Sequence, residues 1–415
     1  MRVFIVISIL FIHVYSFSSQ DSKKITDKYF FDFDISIPTP AFNKKKGFTK
    51  YDEMMFFLDE LKSSYSNVFT YKFIGESQKG RQIPMVFIGD SSSLNMKVCF
   101  MGGLHGNEPA STEGMLFLIH NLLKEDSLEN LLNNLNIAII PMANIDGYEK
   151  QSRYAANGQD LNRDHTKLSN PETNFFKKAI NDFEPDVMVD FHEYKPYRVD
   201  FVNFGDYGTT SMFDCMFLYS GNLNVCPRIK KTIEEVYLPS AKQQLDKYGL
   251  KYHNYLSSKH KNNKVYFNLG SVSPRSSATS FALGNSISML MEVRGVGLNK
   301  NSFKRRVFTT YLLANSFLET SLKESSLVKQ EIKNCNSFPN EIVVKYQKEK
   351  SNYQLDMIDV YKNEVIPVDI LLYNGLRCNS EVTRQRPKYY IIESDLSVVV
   401  DKLKVLGLDI DTLIY

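Results

Sequence analysis

The chain has 415 residues, 43% of them hydrophobic, enough to bury a large core and to place it among globular proteins. Lys and Arg total 50 against 47 Asp and Glu, and the formal charge of +3 excludes a global electrostatic pull toward nucleic acid or an anionic membrane. Any site that reads charge must therefore be local. The first residues, "MRVFIVISILFIHVYSFSSQDSKK", carry Arg2, an apolar stretch from Val3 to about Tyr15, and the small-residue pattern Ser16-Phe17-Ser18. That is the layout of a secretory signal, with an apolar stretch shorter than the roughly 20 residues of a spanning helix. We expect residues 1–18 to be a signal peptide and the mature protein to be secreted or periplasmic with no membrane contact; the alternative is an uncleaved anchor. No inhibitory propeptide is recognisable before residue 50, so an enzyme active once secreted is expected.

Next along the chain, "YDEMMFFLDELKSSY" reads as a helix, and "QIPMVFIG" and "MKVCFMGG" read as strands. "PASTEGMLFLIHNLLKED" has helical spacing, with Pro109 suited to a first turn. "LNIAIIPMANIDG" is a strand entering a loop, "PETNFFKKAINDF" a helix, "PDVMVDFHEY" a strand, "LPSAKQQLDKYG" a helix and "SISMLMEVRG" a strand. This alternation predicts an α/β fold: a central mixed, largely parallel sheet with helices on both faces. From about Glu324 the texture changes. Residues 324–340 read as a linker, and 341–415 as a small β-rich domain built from "EIVVKYQ", "YQLDMIDVY", "VIPVDILLY" and "KYYIIES", closed by the helical "DLSVVVDKLKVLGLDI". The catalytic unit would then be residues 19–323. The ending "DTLIY" lacks a capping element, so the natural chain is expected to continue. Of the five cysteines, Cys99, Cys215, Cys226, Cys335 and Cys378, the short separation suggests Cys215–Cys226 as a pair, and the absence of CxxC argues against a thiolate zinc site.

In open α/β sheets, sites form beyond the carboxyl ends of strands. Four strands here run into polar residues at that end: "VCFMGGLHGNE" delivers His105 and Glu108, "IAIIPMANIDGYE" leads to Arg153, Asn162 and Arg163, "VMVDFHE" ends on His192, and "ISMLMEVRG" ends on Glu292. Two histidines and a carboxylate are a common ligand set for catalytic zinc, whose open fourth position takes water. Glycines around His105 let ligands at i and i+3 turn toward one ion. His165, in a loop next to Asp164, is the competing ligand; His120, His253 and His260 are poorer by position. Arg153, Asn162 and Arg163 share one loop. A guanidinium fork matches a carboxylate bidentately, so this cluster suggests a carboxylate-bearing substrate, against the alternative of a solvated turn.

As a set and in this order, these motifs resemble the zinc metallocarboxypeptidase family of the carboxypeptidase A and E type, over roughly residues 50–320. "GESQKGRQI", "HGNE", "ANIDGYE" and "DLNRD" look like the family's successive signatures, and "DFHEY" and "MEVRGVGL" are closest in style to bacterial secreted members. The resemblance implies one Zn²⁺ per chain held by His105, Glu108 and His192, with Asn162 and Arg163 clamping the substrate's C-terminal carboxylate. It makes Arg153 the oxyanion stabiliser and Glu292 the general base; a structural salt bridge between Glu292 and Arg294 is the competing reading. It also implies a substrate that is a peptide, or a peptidoglycan stem, with a free C-terminal carboxylate. Departures exist. Ile145 replaces a usual proline, Glu193 follows His192 where a small residue is common, and the family's mobile capping tyrosine has only Tyr266 as a candidate. "SVSPRSSATSF" stands nearby, where Arg275 either reads an acidic side chain or is a solvated loop residue. Two rivals stay open at this point: a deacylase of the aspartoacylase type acting on N-acyl amino acids, and an inactive binding protein on the same fold.

Overall fold

The computed structural model describes residues 23–89, 95–261, 264–335 and 340–413, so the expected signal peptide lies outside the described residues, as do residues 336–339 of the expected linker. In chain order the strands are β1 (Phe69–Glu76), β2 (Gln82–Gly89), β3 (Met96–Met101), β4 (Leu135–Ile140), β5 (Val187–Tyr194), β6 (Thr209–Ser211) and β7 (Cys215–Tyr219). They continue with β8 (Tyr252–Asn254), β9 (Leu256–Lys261), β10 (Lys264–Leu269), β11 (Ile287–Arg294), β12 (Glu341–Asp359) and β13 (Glu364–Gln385).

An eight-stranded mixed sheet runs β1-β2-β4-β3-β5-β11-β7-β8. Its centre, β4, β3, β5 and β11, is parallel throughout, while β2 and β7 flank it in antiparallel orientation. Strands buried on both faces need continuous apolar runs, and all eight residues of β5 are buried. Parallel alignment sends four carboxyl ends to one sheet edge. The register then places Glu292 of β11 directly beside His192 of β5, and Leu290 beside Asp190.

Helices cover both faces, as the alternation of elements predicts. Pro109–Lys124 and Phe303–Lys323 pack on each other and on the sheet, and Ser277–Leu283 packs on β5 and β11. Where the first two helices cross, a Cβ on Gly114 would lie 2.3 Å from Thr310 Cγ2, so only glycine allows this approach. No helix among the described residues is long and apolar enough to cross a membrane.

The C-terminal region differs from its sequence reading. The separate short runs merge into two strands of 19 and 22 residues that pair antiparallel as one long hairpin. The hairpin does not stand as a sheet of its own. It joins β6 on one side and β10 on the other in a five-stranded sheet ordered β6-β12-β13-β10-β9. Its polar middle hid the continuity, because β12 is buried mainly at residues 355–359, next to the turn. "KYYIIES" forms no strand, and Tyr389, Tyr390 and Ile391 are exposed. The expected linker contains a helix, Ser325–Asn334, that ends beside Cys335.

Cys335 bonds to Cys226, not the expected Cys215, with Cα atoms 5.7 Å apart. Cys215 is a buried free thiol on β7, inside the sheet, whereas Cys226 caps the helix Pro227–Thr232, so proximity in sequence did not become proximity in space.

The Gly114 contact yields a stability prediction. Alanine has the better helix propensity by about 1 kcal/mol, but forcing a methyl into this crossing costs about 1–3 kcal/mol. Gly114→Ala should therefore show a lower denaturation midpoint; a midpoint above wild type would contradict the close crossing.

Candidate active site

The loop leaving β3 turns at Gly103, in the left-handed region at φ 65°, and brings His105 and Glu108 to the sheet edge. The loop has no room for a side chain at Gly106, where a Cβ would lie 2.0 Å from the backbone carbon of Gly147. The "HGNE" and "ANIDGYE" loops are thus packed backbone to backbone. Glu108 sits at the N-cap of Pro109–Lys124, where a carboxylate also faces the positive end of the helix.

His105, Glu108 and His192 are all buried, and one ligand atom from each lies within 4.8 Å of the others. His105 Nδ1 is 2.8 Å from Glu108 Oε1, His192 Nδ1 is 2.8 Å from Glu108 Oε2, and the two Nδ1 atoms are 2.9 Å apart. Behind them, His105 Nε2 faces Asp160 Oδ1 at 3.1 Å and His192 Nε2 faces Asp190 Oδ2 at 2.8 Å. Each carboxylate holds a proton on Nε2 and so turns the Nδ1 lone pair inward. Three lone-pair donors then converge at one buried point. They repel unless a cation stands among them, and a His₂Glu set of this kind suits zinc.

Without an ion, a proton shared within the cluster fills the same place. Burial works to raise Glu108, but the charges and hydrogen bonds of His105 and His192 hold its carboxyl well below the usual range. Burial works to lower His192, but Asp190 and Glu108 push it well above the usual imidazole value.

Arg153 reaches into this cluster half-buried. Its Nε and Nη2 fork onto Asp160 Oδ2 at 3.1 and 3.0 Å, which leaves Nη1 facing His105 Nδ1 at 3.2 Å and Glu108 Oε1 at 3.4 Å. Asp160 also accepts from Asn162 N at 2.9 Å, fixing the turn Leu161–Arg163. Asn162 is buried, and its Oδ1 accepts from Ser277 N at 2.9 Å. Arg163 is exposed, with Nη1 on the Asn162 carbonyl at 2.7 Å.

Asn162, Arg163, Arg153, His105 and Glu292 line one cleft of about 720 Å³. Burial pushes the Glu292 carboxyl up to about 7, with the charge of His192 opposing and that of Glu108 adding. The alternative salt bridge to Arg294 does not form. The Arg294 guanidinium is buried without a hydrogen-bond partner among the described residues, its centre 3.9 Å from the middle of the Phe30 ring.

The other sequence candidates separate as follows. His165 is buried between Phe176 and Phe281 with neither ring nitrogen hydrogen-bonded, and burial lowers its pKa, so it is a neutral core residue outside the donor cluster. Tyr266 does not line the cleft; its ring packs on Tyr373, 5.2 Å between centroids, in the five-stranded sheet. Arg275 does line the cleft and is exposed. Glu193 is tied down by Arg306 Nε at 2.7 Å and Ala110 N at 2.9 Å. Asp160 and Asp190 were not anticipated. The signal for Asp190 was present, since a residue two before His192 in a strand shares its face. Tyr255, Arg198 and Lys348 also line the cleft and carry no local motif.

The carboxylates behind the histidines give a test. Asp160→Asn and Asp190→Asn should each weaken zinc binding by about 10- to 100-fold, measured by competition with a chelator. Unchanged affinity in both would show that they do not orient the imidazoles.

Comparison with known proteins agrees with this geometry. The sequence pattern of the zinc carboxypeptidase family matches residues 54–319, well over half of the chain. Carboxypeptidase 2 of Trichophyton rubrum is 25% identical over 386 residues, spanning 89% of this chain and 70% of that protein. Human carboxypeptidase D is 30% identical over 161 residues, which cover 34% of this chain and 12% of that one. Among solved structures, the carboxypeptidase A of Helicoverpa armigera superposes with a TM-score of 0.52 at 18% identity, over 74% of this chain and 82% of the other, a likeness of fold. With its buried His-Glu-His cluster at the end of parallel strands and this match along most of its sheet, the chain belongs to the zinc carboxypeptidase family of peptide hydrolases.

Proposed function

We propose that the protein removes the C-terminal residue of peptides, with His105, Glu108 and His192 holding one zinc ion and Glu292 as general base. The observation that carries this reading is the sharing of one cleft by the donor cluster, the Asn162–Arg163 pair and an uncommitted Glu292 carboxylate. Zinc, when bound, supplies a Lewis acid that acidifies water and polarises a carbonyl. The rest of the chemistry belongs to the chain. Arg163 and Asn162 bind the terminal carboxylate and so fix which peptide bond reaches the cluster. Glu292 takes a proton from the attacking water and returns it to the leaving amine nitrogen. Arg153, with two nitrogens committed to Asp160, presents Nη1 to the carbonyl oxygen as negative charge develops there.

The leader-like first residues support a secreted or periplasmic enzyme. Both peptides and peptidoglycan stems with a free C-terminal carboxylate meet the chemistry of the clamp. Blocked peptides assayed beside N-acetylaspartate separate this reading from a deacylase: turnover of the acyl amino acid alone would overturn it.

Two variants test the roles. Arg163→Ala should cost roughly 2–5 kcal/mol in kcat/KM for peptides with a free C-terminus, the consequence of leaving a charge unmatched. Amidated peptides should be poor substrates of the wild type, and equal cleavage of the two forms would exclude an exopeptidase. Glu292→Gln should keep zinc and fold while the rate falls about 10²- to 10⁴-fold. Because the base must be ionised, wild-type activity should fall as pH drops through a value at or below about 7, the bound cation moving that limb downward. Loss of zinc in the glutamine variant would instead mark Glu292 as a ligand.

A further inference from the structure

The cleft is charged more strongly than terminal-carboxylate binding requires. Seven cationic side chains line it against three acids, Glu193, Asp200 and Glu292. Two of the acids are already engaged, Glu193 with Arg306 and Asp200 with His260 Nε2 at 2.6 Å. Of the cations, Arg153 is held by Asp160. Among the described residues the other six, Arg163, Lys195, Arg198, Lys259, Arg275 and Lys348, have no carboxylate partner. One terminal carboxylate accounts for Arg163.

Two of the remaining five are built into the wall. Arg198 is half-buried and fixed by neutral acceptors only, with Nη2 on the Leu256 carbonyl at 3.2 Å, Nη1 on Ser258 Oγ at 3.5 Å and Nε on the Lys195 carbonyl at 3.3 Å. Lys348 is half-buried with Nζ on Asn268 Oδ1 at 3.0 Å. The anchors belong to neighbouring strands, Ser258 to β9 and Asn268 to β10. Two cations lining one cleft are thus held by neutral groups alone. Burial lowers the Lys348 pKa, with Cys378 opposing and the charge of Lys259 adding to the effect. Burial raises the pKa of the Tyr255 hydroxyl in the same cleft, Glu292 adds to this, and Arg198, Arg153 and Arg163 oppose it, so all four charges act on one group.

We propose that this cleft selects peptides whose last residue has an acidic side chain, glutamate or aspartate, with Arg198 and Lys348 as the residues that read it. The proposal rests on the carboxypeptidase reading above. It also gives the C-terminal hairpin a role, since β12 carries Lys348 into the cleft. Like charges held together repel, and an anionic side chain that relieves the repulsion gains more than an aromatic or cationic one.

The test uses the full-length protein loaded with zinc and N-blocked peptides that differ only in the last residue: Glu, Gln, Phe or Arg. Glu and Gln are nearly isosteric, so their ratio isolates charge. We expect kcat/KM for the Glu peptide to exceed that for the Gln peptide by about tenfold or more, with the advantage shrinking as salt rises. Lys348→Met and Arg198→Met should each lower the Glu/Gln ratio about fivefold, and Lys348→Arg should retain it, which separates lost charge from a disturbed hairpin. Active enzyme with a Glu/Gln ratio near one, or with Phe or Arg preferred, would overturn the inference and leave the carboxypeptidase reading intact. No cleavage of any of the four peptides would overturn that reading and this inference with it.

Discussion

Three lone pairs aimed at one buried point are the constraint from which the site is built. His105, Glu108 and His192 present their donors within a few ångströms of one another at a buried point, an arrangement unfavourable without a cation. Asp160 and Asp190 make the convergence possible by holding the far nitrogens of the two rings. Glycine at 106 exists because the two loops delivering these groups must touch through their backbones. The parallel order of β4, β3, β5 and β11 is the fold-level form of the same requirement, since it brings the ends of separate strands to one edge.

Around this centre the charges are arranged in pairs that keep the inner groups unneutralised. Glu193 is occupied by Arg306, and Asp214 by Arg305 Nε at 2.6 Å, so neither competes for the donors or for Arg153. Asp160 is shared between His105 and Arg153, coupling one face of the donor cluster to the residue we assign to the carbonyl oxygen. Arg294 is the exception, a buried guanidinium stacked on Phe30 with no hydrogen bond among the described residues. Its position frees Glu292 from the ion pair that their spacing in the strand allowed.

Much of the site was legible in the sequence because its residues sit at the ends of apolar runs. "HGNE", "DLNRD", "DFHE" and "MEVRG" each follow or finish a strand or a tight turn, and the parallel sheet converts that shared position into proximity. What was not legible depends on pairing between distant segments. The Cys226–Cys335 bond spans 109 residues, and the short cysteine separation pointed elsewhere. The long hairpin looked like three fragments because most of β12 is solvent-exposed and shows no apolar stripe. Arg198 and Lys348 belong to no local pattern at all; a sheet assembled from strands up to 150 residues apart places them. Tyr266 likewise meets Tyr373 of that distant hairpin, a contact no local pattern shows.

The pairing of β13 with β10 also orders events in time. During synthesis, every residue of the donor cluster, the clamp and the base leaves the ribosome before β12 begins at residue 341. Until the hairpin arrives, β6 and β10 present open edges, the kind of surface that recruits other strands and leads to aggregation. The contacts that close them are distant in sequence and therefore slow to form. The disulfide, made once Cys335 has emerged, fastens the chain just ahead of the hairpin and shortens its search for those edges. The hairpin that brings Lys348 to the cleft is thus made after the catalytic residues, and its docking silences the exposed edges.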